Sequence, residues 1–223
     1  MTMTLWDAAA VGDVDATRAR LGAGEDVNQR GDWGTTPLMQ AAAAGHTDVV
    51  RLLLDHGADA SAHDASERPS TALRDAIRGR HAGAAREILL RVWDPDERAT
   101  AFDLAVASDD VETVEALLDA GADADAISPM TGRTPLLQAV ADGNADILAL
   151  LLRRGARIDA PNRYGCTPLM LAVLNRDPAM VEWLLHAGAA RDAADVEGRT
   201  PLALAEFIGD AGLLGLLSHR GDD

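Results

Sequence analysis

Apolar residues in this chain fall in short runs with helical spacing, two runs to a segment, and glycine closes each run. In residues 132–164, Leu136, Ala139 and Val140 lie on one helical face. Thr134 precedes them as an N-cap, and Pro135 suits the first helical position, where its missing N–H would be unpaired anyway. Gly143 breaks the pattern, and Ile147, Leu148, Leu150, Leu151 and Leu152 predict a second helix. Gly155 ends it as a residue that accepts left-handed backbone. The stretch from Ala156 to Tyr164 then reaches Gly165, which permits a tight turn. The segment reads as helix, turn, helix, extended hairpin. One such pair cannot bury its own apolar face, so neighbouring segments must supply the core.

The segment recurs. Thr134-Pro135-Leu136, Thr167-Pro168-Leu169 and Thr200-Pro201-Leu202 are 33 residues apart, and Thr36-Pro37-Leu38 begins a further copy within 34–59. A period of this kind signals a stacked repeat protein. The residues resemble ankyrin repeats, whose pattern is Gly-x-Thr-Pro-Leu-His-x-Ala-Ala, then Gly-His, then Val-Val-x-Leu-Leu-Leu and Gly-Ala-Asp. The resemblance covers almost the whole chain. It implies an all-α ankyrin-repeat solenoid of about seven helix-turn-helix units with hairpin fingers, and a concave surface of finger tips and first helices. The units are read as one domain over 1–223: an N-cap at 1–33, then 34–68, 69–96, 97–131, 132–164, 165–197, and a C-cap at 198–223. End repeats face water on one side, and Asp7, Asp13 and Asp15 suit such a cap. The polar end from Ser218 to Asp223 suits the other.

Departures from the pattern are informative. Met39, Leu137, Met170 and Ala203 stand where the family carries histidine, which shifts weight from a hydrogen-bond network to apolar packing. Asp109 and Arg176 replace the second family glycine. The third unit, with Thr71-Ala72-Leu73 and a second helix expected near 84–92, lacks the Gly-Ala-Asp ending. Trp93 leads instead to Asp94-Pro95-Asp96-Glu97, which reads as a capping box. A helix from Pro95 to Val106 is therefore expected with no finger before it, making the junction of the third and fourth units irregular. Drift in a non-binding repeat and a functional notch both fit that gap.

Composition refines this picture. Few of the 223 residues are aromatic, so Ala, Leu and Val must build the core. The apolar runs are too short to span a bilayer, and no secretory signal is read at the start. A single cysteine, Cys166, excludes an internal disulfide and fits a reducing, cytoplasmic compartment. Every basic residue is arginine, which with abundant Ala, Asp and Gly suggests a high-GC bacterial genome. The net charge of −16 disfavours nucleic acid and anionic membranes and favours a basic partner, although solubility alone explains it equally well. Charge is also sorted. Arginines 68, 74, 78, 80, 86 and 91 precede a stretch, 94–126, with eleven acids and only Arg98. Asp109, Asp110, Glu112, Glu115 and Asp119 form a candidate acidic patch for a basic partner, beside the plainer reading of solvated helix faces.

Carried over from the resemblance, the recognition positions at finger tips are Asp32, Trp33 and Thr35; Met130 and Arg133; Arg163 and Tyr164; Glu197 and Arg199. On first helices they include Arg78, Leu174 and Asn175. Val196 and Phe207 hold such positions too. Trp33 and Tyr164 are singled out because aromatic residues and arginine anchor interfaces; packing of each ring on the next finger is the alternative. Trp183 is expected in the core, Trp6 at the first cap and Trp93 at the irregular junction. His46 reads as structural, and His56 and His186 as helix-end residues complementing the dipole.

No phosphate-binding loop is present, no histidine has a metal-ligand partner at suitable spacing, and Cys166 has no histidine base beside it in sequence. No catalytic, cofactor or metal site is expected. The reading is a monomeric interaction protein that binds another protein on its finger-and-helix face. Its most concrete form is an inhibitor or immunity-type protein for a basic toxin or enzyme. The alternative is a structural scaffold or assembly subunit, with an enzyme as a remote third.

Overall fold

A computed structural model describes residues 3–67, 69–92 and 94–218. Trp93, Arg68 and the polar end beyond Ser218 lie outside the described residues, so the expectations placed on them stand untested. Among the described residues there are fourteen α-helices, one 3-10 turn at Asp32–Gly34, and no strand. The chain divides into two compact units, residues 1–122 and 123–223.

The first unit holds four helix pairs: α1 (Leu5–Val11) with α2 (Val14–Gly22), α3 (Pro37–Ala43) with α4 (Thr47–Asp55), α5 (Ala72–Arg78) with α6 (Ala82–Leu89), and α7 (Pro95–Ala107) with α8 (Val111–Asp119). First helices pack on first helices in the order α1, α3, α5, α7, and second helices likewise in the order α2, α4, α6, α8. The second unit repeats the scheme with α9 (Pro135–Asp142) and α10 (Ala145–Arg153), α11 (Pro168–Leu174) and α12 (Pro178–His186), α13 (Pro201–Ile208) and α14 (Ala211–Ser218). There α11 lies against both α9 and α13.

The repeated threonine does what the spacing predicts. Thr36, Thr71, Thr134, Thr167 and Thr200 each accept the backbone N–H three residues on, at 3.2–3.4 Å. Each such cap is worth about 1 kcal/mol. Leu38, Leu73, Leu136 and Leu169 follow and are fully buried. Where the family histidine is replaced, Met39, Leu137 and Met170 are buried as apolar packing requires, while Ala203 is exposed.

The turn between paired helices normally uses a glycine in left-handed backbone. In three repeats another residue takes that conformation: Asp109 (φ 50°), Arg176 (φ 55°) and also Arg80 (φ 59°). Only Asp109 and Arg176 were expected there from the sequence; Arg80 was not. Gly79 beside it keeps ordinary helical backbone and caps α5. Two histidines begin second helices, His46 before α4 and His81 before α6. Each ring nitrogen Nε2 lies 3.2 Å from a carbonyl of the preceding repeat, Ala10 and Ala43 respectively. His56 sets Nδ1 2.8 Å from the Leu52 carbonyl at the end of α4. Trp6 packs its indole against Gly31 in the finger that follows α2, and Trp183 is partly buried.

The third-to-fourth junction differs from the others. The second helix of the third unit starts at Ala82 and ends at Leu89, earlier at both ends than the 84–92 expected. Elsewhere a loop with a finger joins one repeat to the next; here α6 ends at Leu89 and α7 begins at Pro95. Asp94 caps α7 through the Asp96 N–H, not through that of Glu97. The capping box is not formed, because the Glu97 carboxylate is drawn elsewhere. It is buried, accepts from the Thr71 hydroxyl at 2.5 Å and pairs with Arg74 at 2.6 Å. The neighbouring Arg98 donates to the carbonyls of Leu89, Val92 and Ala120. These two residues fasten α7 to the start of α5 and to the ends of α6 and α8 where a finger would otherwise lie.

Candidate functional site

The fingers of the second unit are three short turns, each closed by backbone bonds. They run from Ser128 to Arg133, Asn162 to Cys166 and Asp195 to Arg199, with the first residue's N–H on the last residue's carbonyl at 2.9–3.0 Å. Gly165 (φ 76°) lets the third finger lie close, since the Asp195 Cα would sit 3.0 Å from a Cβ placed there. The Val196 N–H then reaches the Tyr164 carbonyl at 3.1 Å. Loops between repeats are tied similarly. Asp125 accepts from the Arg157 N–H and guanidinium, and Asp159 from the Ala190 N–H.

This framework leaves large apolar side chains in water. Met130, Tyr164 and Val196 occupy the tips of the three fingers, with Tyr164 63% and Val196 71% exposed. Leu174 and Phe207 project near the ends of α11 and α13, and Phe207 is 90% exposed. Scattered exposed apolar residues are ordinary; a set repeated on successive fingers and first helices of one face is not, and such patches mark interaction sites. Tyr164, Leu174 and Val196 border a hollow of about 380 Å³. Leu137, Leu171, Leu174 and Leu204 give it an apolar lining, and Arg133, Asn162, Tyr164, Cys166, Asp195, Val196, Glu197 and Arg199 complete it.

The polar groups differ in how firmly they are held. Asp195 accepts the N–H groups of Glu197 and Arg199 at 2.9 Å and the Arg199 guanidinium at 2.7 Å. The Arg199 backbone N–H holds its carboxyl below the usual carboxylate range, against the opposing effect of burial. Arg199 also meets Glu197 at 2.9 Å. Arg133 meets only the amide oxygen of Gln138, at 3.2 Å. Arg163 lays its guanidinium over the Tyr164 ring, 5.9 Å from the centroid, and against Gly132, where a Cβ would collide with it. Burial pushes the Cys166 thiol up, and the Asp195 charge adds to that, so the sulfur is not activated as a nucleophile.

The structure thus gathers Arg133, Tyr164, Leu174, Glu197 and Arg199 around one hollow, with Met130 and Arg163 on its fingers and exposed Asn175 capping α11. Val196 and Phe207, positions the sequence reading also named, are the two most exposed large apolar side chains among the described residues of the second unit. Asp32, Trp33, Thr35 and Arg78 belong to the first unit. Trp33 is 79% exposed at a finger tip, in left-handed backbone (φ 60°) that places its carbonyl on the Ala65 N–H at 2.7 Å. Thr35 is engaged with the Asp32 carbonyl and the Trp6 indole N–H. Arg78 is held by the Ser70 hydroxyl at 2.7 Å and lies 3.5 Å from Asp75.

The acidic patch needs correction. Asp110 is buried, capping α8 through the Thr113 N–H and bonding the Thr113 hydroxyl, so it is no part of an exposed surface. Asp119 pairs with Arg86, and the Asp109 carbonyl accepts from Arg80. Asp109, Glu112, Glu115 and Asp119 are exposed. Of the eleven acids in 94–126, Glu97 and Asp119 pair with arginines of the preceding repeat, Arg74 and Arg86. Among the described residues no group of His, Cys, Asp and Glu could hold a metal ion, and no helix is long and apolar enough to cross a membrane.

Comparison with known proteins agrees with this architecture. A family pattern described as ankyrin repeats (3 copies) matches residues 5–126 and 102–195. A putative ankyrin repeat protein of fowlpox virus is 34% identical over 164 residues, covering 71% of this chain and 37% of its own length. The mouse B-cell lymphoma 3 protein homolog is 33% identical over 134 residues, covering 56% of this chain and 29% of its own. The chain therefore spans about a third of those relatives. The crystal structure of the ankyrin repeat domain of Bcl-3, described as a member of the IkappaB family, superposes with a TM-score of 0.84 at 28% identity. It covers 98% of this chain and 99% of that one. With stacked threonine-capped helix pairs, finger turns and a matching pattern along most of its length, the chain belongs to the ankyrin-repeat family, whose members are protein–protein interaction modules.

Proposed function

We propose that this protein holds a partner protein on the finger and first-helix face of its second unit. The observation that carries the reading is the repetition of exposed apolar residues there: Met130, Tyr164 and Val196 on three fingers, Leu174 and Phe207 on two first helices. Tyr164, Leu174 and Val196 also line a hollow with leucines at its floor. Hydration of these side chains is unfavourable, and covering them with a partner's apolar surface relieves that cost. Trp33 is exposed on the first unit and is not part of this proposed seat. The exposed acids Asp109 and Glu112 would act on encounter, raising the on-rate of a partner with a basic surface.

The test is capture of a partner from native lysate by the wild-type chain and by a Tyr164→Ala, Phe207→Ser variant. Each captured protein is then titrated against both. The reading expects a partner retained by the first and lost by the second. A partner bound equally by both would remove it. Assay of the captured partner's own activity separates an inhibitor, which would lower it, from a scaffold, which would leave it unchanged.

A further inference from the structure

We infer that the hollow of the second unit takes a partner segment that presents a large apolar side chain beside an aspartate or glutamate. The inference rests on the finger face of this unit being the binding face, and it specifies what that face selects.

The apolar half follows from the lining. Leu137, Leu171 and Leu204 give the hollow a floor that offers an entering group no hydrogen bond, and its volume of about 380 Å³ leaves room for a large side chain. The charged half follows from which groups at the rim already have counter-charges. Asp195 and Glu197 both pair with Arg199, and Asp195 also accepts two backbone N–H groups. Both carboxylates are thus already bonded within their own finger, although the single charge of Arg199 offsets only one of the two. Arg133 is held differently. Its guanidinium bonds the neutral Gln138, which passes a 2.8 Å bond on to Asp142, and among the described residues it touches no carboxylate directly. Arg163 rests on the Tyr164 ring and on Gly132, the residue before Arg133, and among the described residues no ion pair engages it. An arginine has five N–H donors in a planar fork that fits a carboxylate. Arg133 uses one of them on a side chain and stands at the edge of an apolar floor, where a charge-assisted bond gains from displaced water.

This selection opposes the expectation drawn from the net charge of −16, which favours a basic partner. Contact range decides the matter. Remote surface acids are screened over about 8 Å at physiological salt, whereas a direct pair at a part-buried rim is screened much less. The whole-chain charge sets approach; Arg133 and Arg163 set the fit.

The experiment pans a random-peptide phage library against the full chain. An enriched peptide is then titrated by fluorescence anisotropy against wild type, Arg133→Gln and Leu174→Asp, after circular dichroism shows both variants folded. The expected peptides carry Leu, Phe or Trp next to Asp or Glu. Arg133→Gln should weaken such a peptide about tenfold while leaving its amide counterpart, Glu or Asp changed to Gln or Asn, unaffected. Leu174→Asp should remove binding of both. Peptides rich in Arg and Lys, or an affinity indifferent to Arg133→Gln, would overturn the acidic half; if Leu174→Asp still removes them, the finger face remains the site. Binding indifferent to Leu174→Asp, or no enrichment over an empty support, would overturn the inference, and the first of these would remove the finger-face reading as well.

Discussion

The two units use the same repeat to different ends. In the first, polar groups on the finger side are turned inward. Arg30 donates to the carbonyls of Gly34 and His63. Asp64 accepts from Ser66 and Ser70, and Ser70 in turn bonds Asp75 and Arg78. Thr71 and Arg74 converge on Glu97. On the second helices, Arg51 pairs with Glu87, Arg91 with Asp55 and Arg86 with Asp119. Fingers of both units close on their own backbone, but those of the second leave Met130, Tyr164 and Val196 outside on three successive tips. The lesson lies in the irregular junction. Where α7 follows α6 without a finger, the side chains of Glu97 and Arg98 supply the ties between repeats. Where a finger is present, its backbone bonds do so.

The largest expected effect lies in the irregular junction. Glu97→Ala strands the Arg74 guanidinium in a part-buried site and removes the Thr71 contact, and should cost about 3 kcal/mol. Urea denaturation followed through tryptophan should show a lowered midpoint. A loss under about 0.5 kcal/mol, the range of ordinary surface changes, would mean that the ion pair is not what holds the fingerless turn. By contrast Leu174→Asp or Phe207→Ser, on an exposed face, should change stability by no more than about 0.5 kcal/mol while removing partner binding. A large stability loss would show that these side chains serve the fold.

A gain is expected at the turn of the second unit's middle repeat. Arg176 is exposed, in left-handed backbone, with φ 55°. Arg176→Gly should add about 1 kcal/mol by relieving the Cβ contact, and a lowered thermal midpoint would contradict the account. The smallest effect concerns pH. The Asp195 carboxyl is held below its usual range by the Arg199 backbone N–H and guanidinium. Its folded value lies below its unfolded value, so its contribution is present above the unfolded pKa of about 4 and is lost as pH falls through the folded one. Asp195→Asn should flatten the acid limb of the stability curve below pH about 4. An unchanged acid limb would show that the third finger is held by other means.

Much of this was legible in the sequence, and the reasons are local. Thr-Pro-Leu specifies a cap, a first turn and a buried leucine within three residues, so the pattern reports the structure directly at Thr134, Thr167 and Thr200. Glu97 shows the limit. Three residues after a capping aspartate it looks like the second half of a capping box, yet a threonine and an arginine more than twenty residues away compete for its carboxylate and win. Asp110 was misread for a similar reason, since a run of acids does not say which one turns inward to cap a helix. At the candidate site, position in the repeat located the tips. It did not distinguish Arg199, saturated by two acids, from Arg133, bound to a neutral amide. That distinction depends on side-chain geometry across fingers, which spacing does not carry.

The most direct test compares two variants in one binding assay: Tyr164→Ala with Phe207→Ser in the second unit, and Trp33→Ala in the first. Each is titrated against the same captured partner by surface-immobilised kinetics. The account predicts that the first variant loses affinity at least about tenfold, as removal of interface anchors does, while the second binds as wild type does. Equal binding by the first variant together with loss in the second would place the site on the first unit and contradict the central claim.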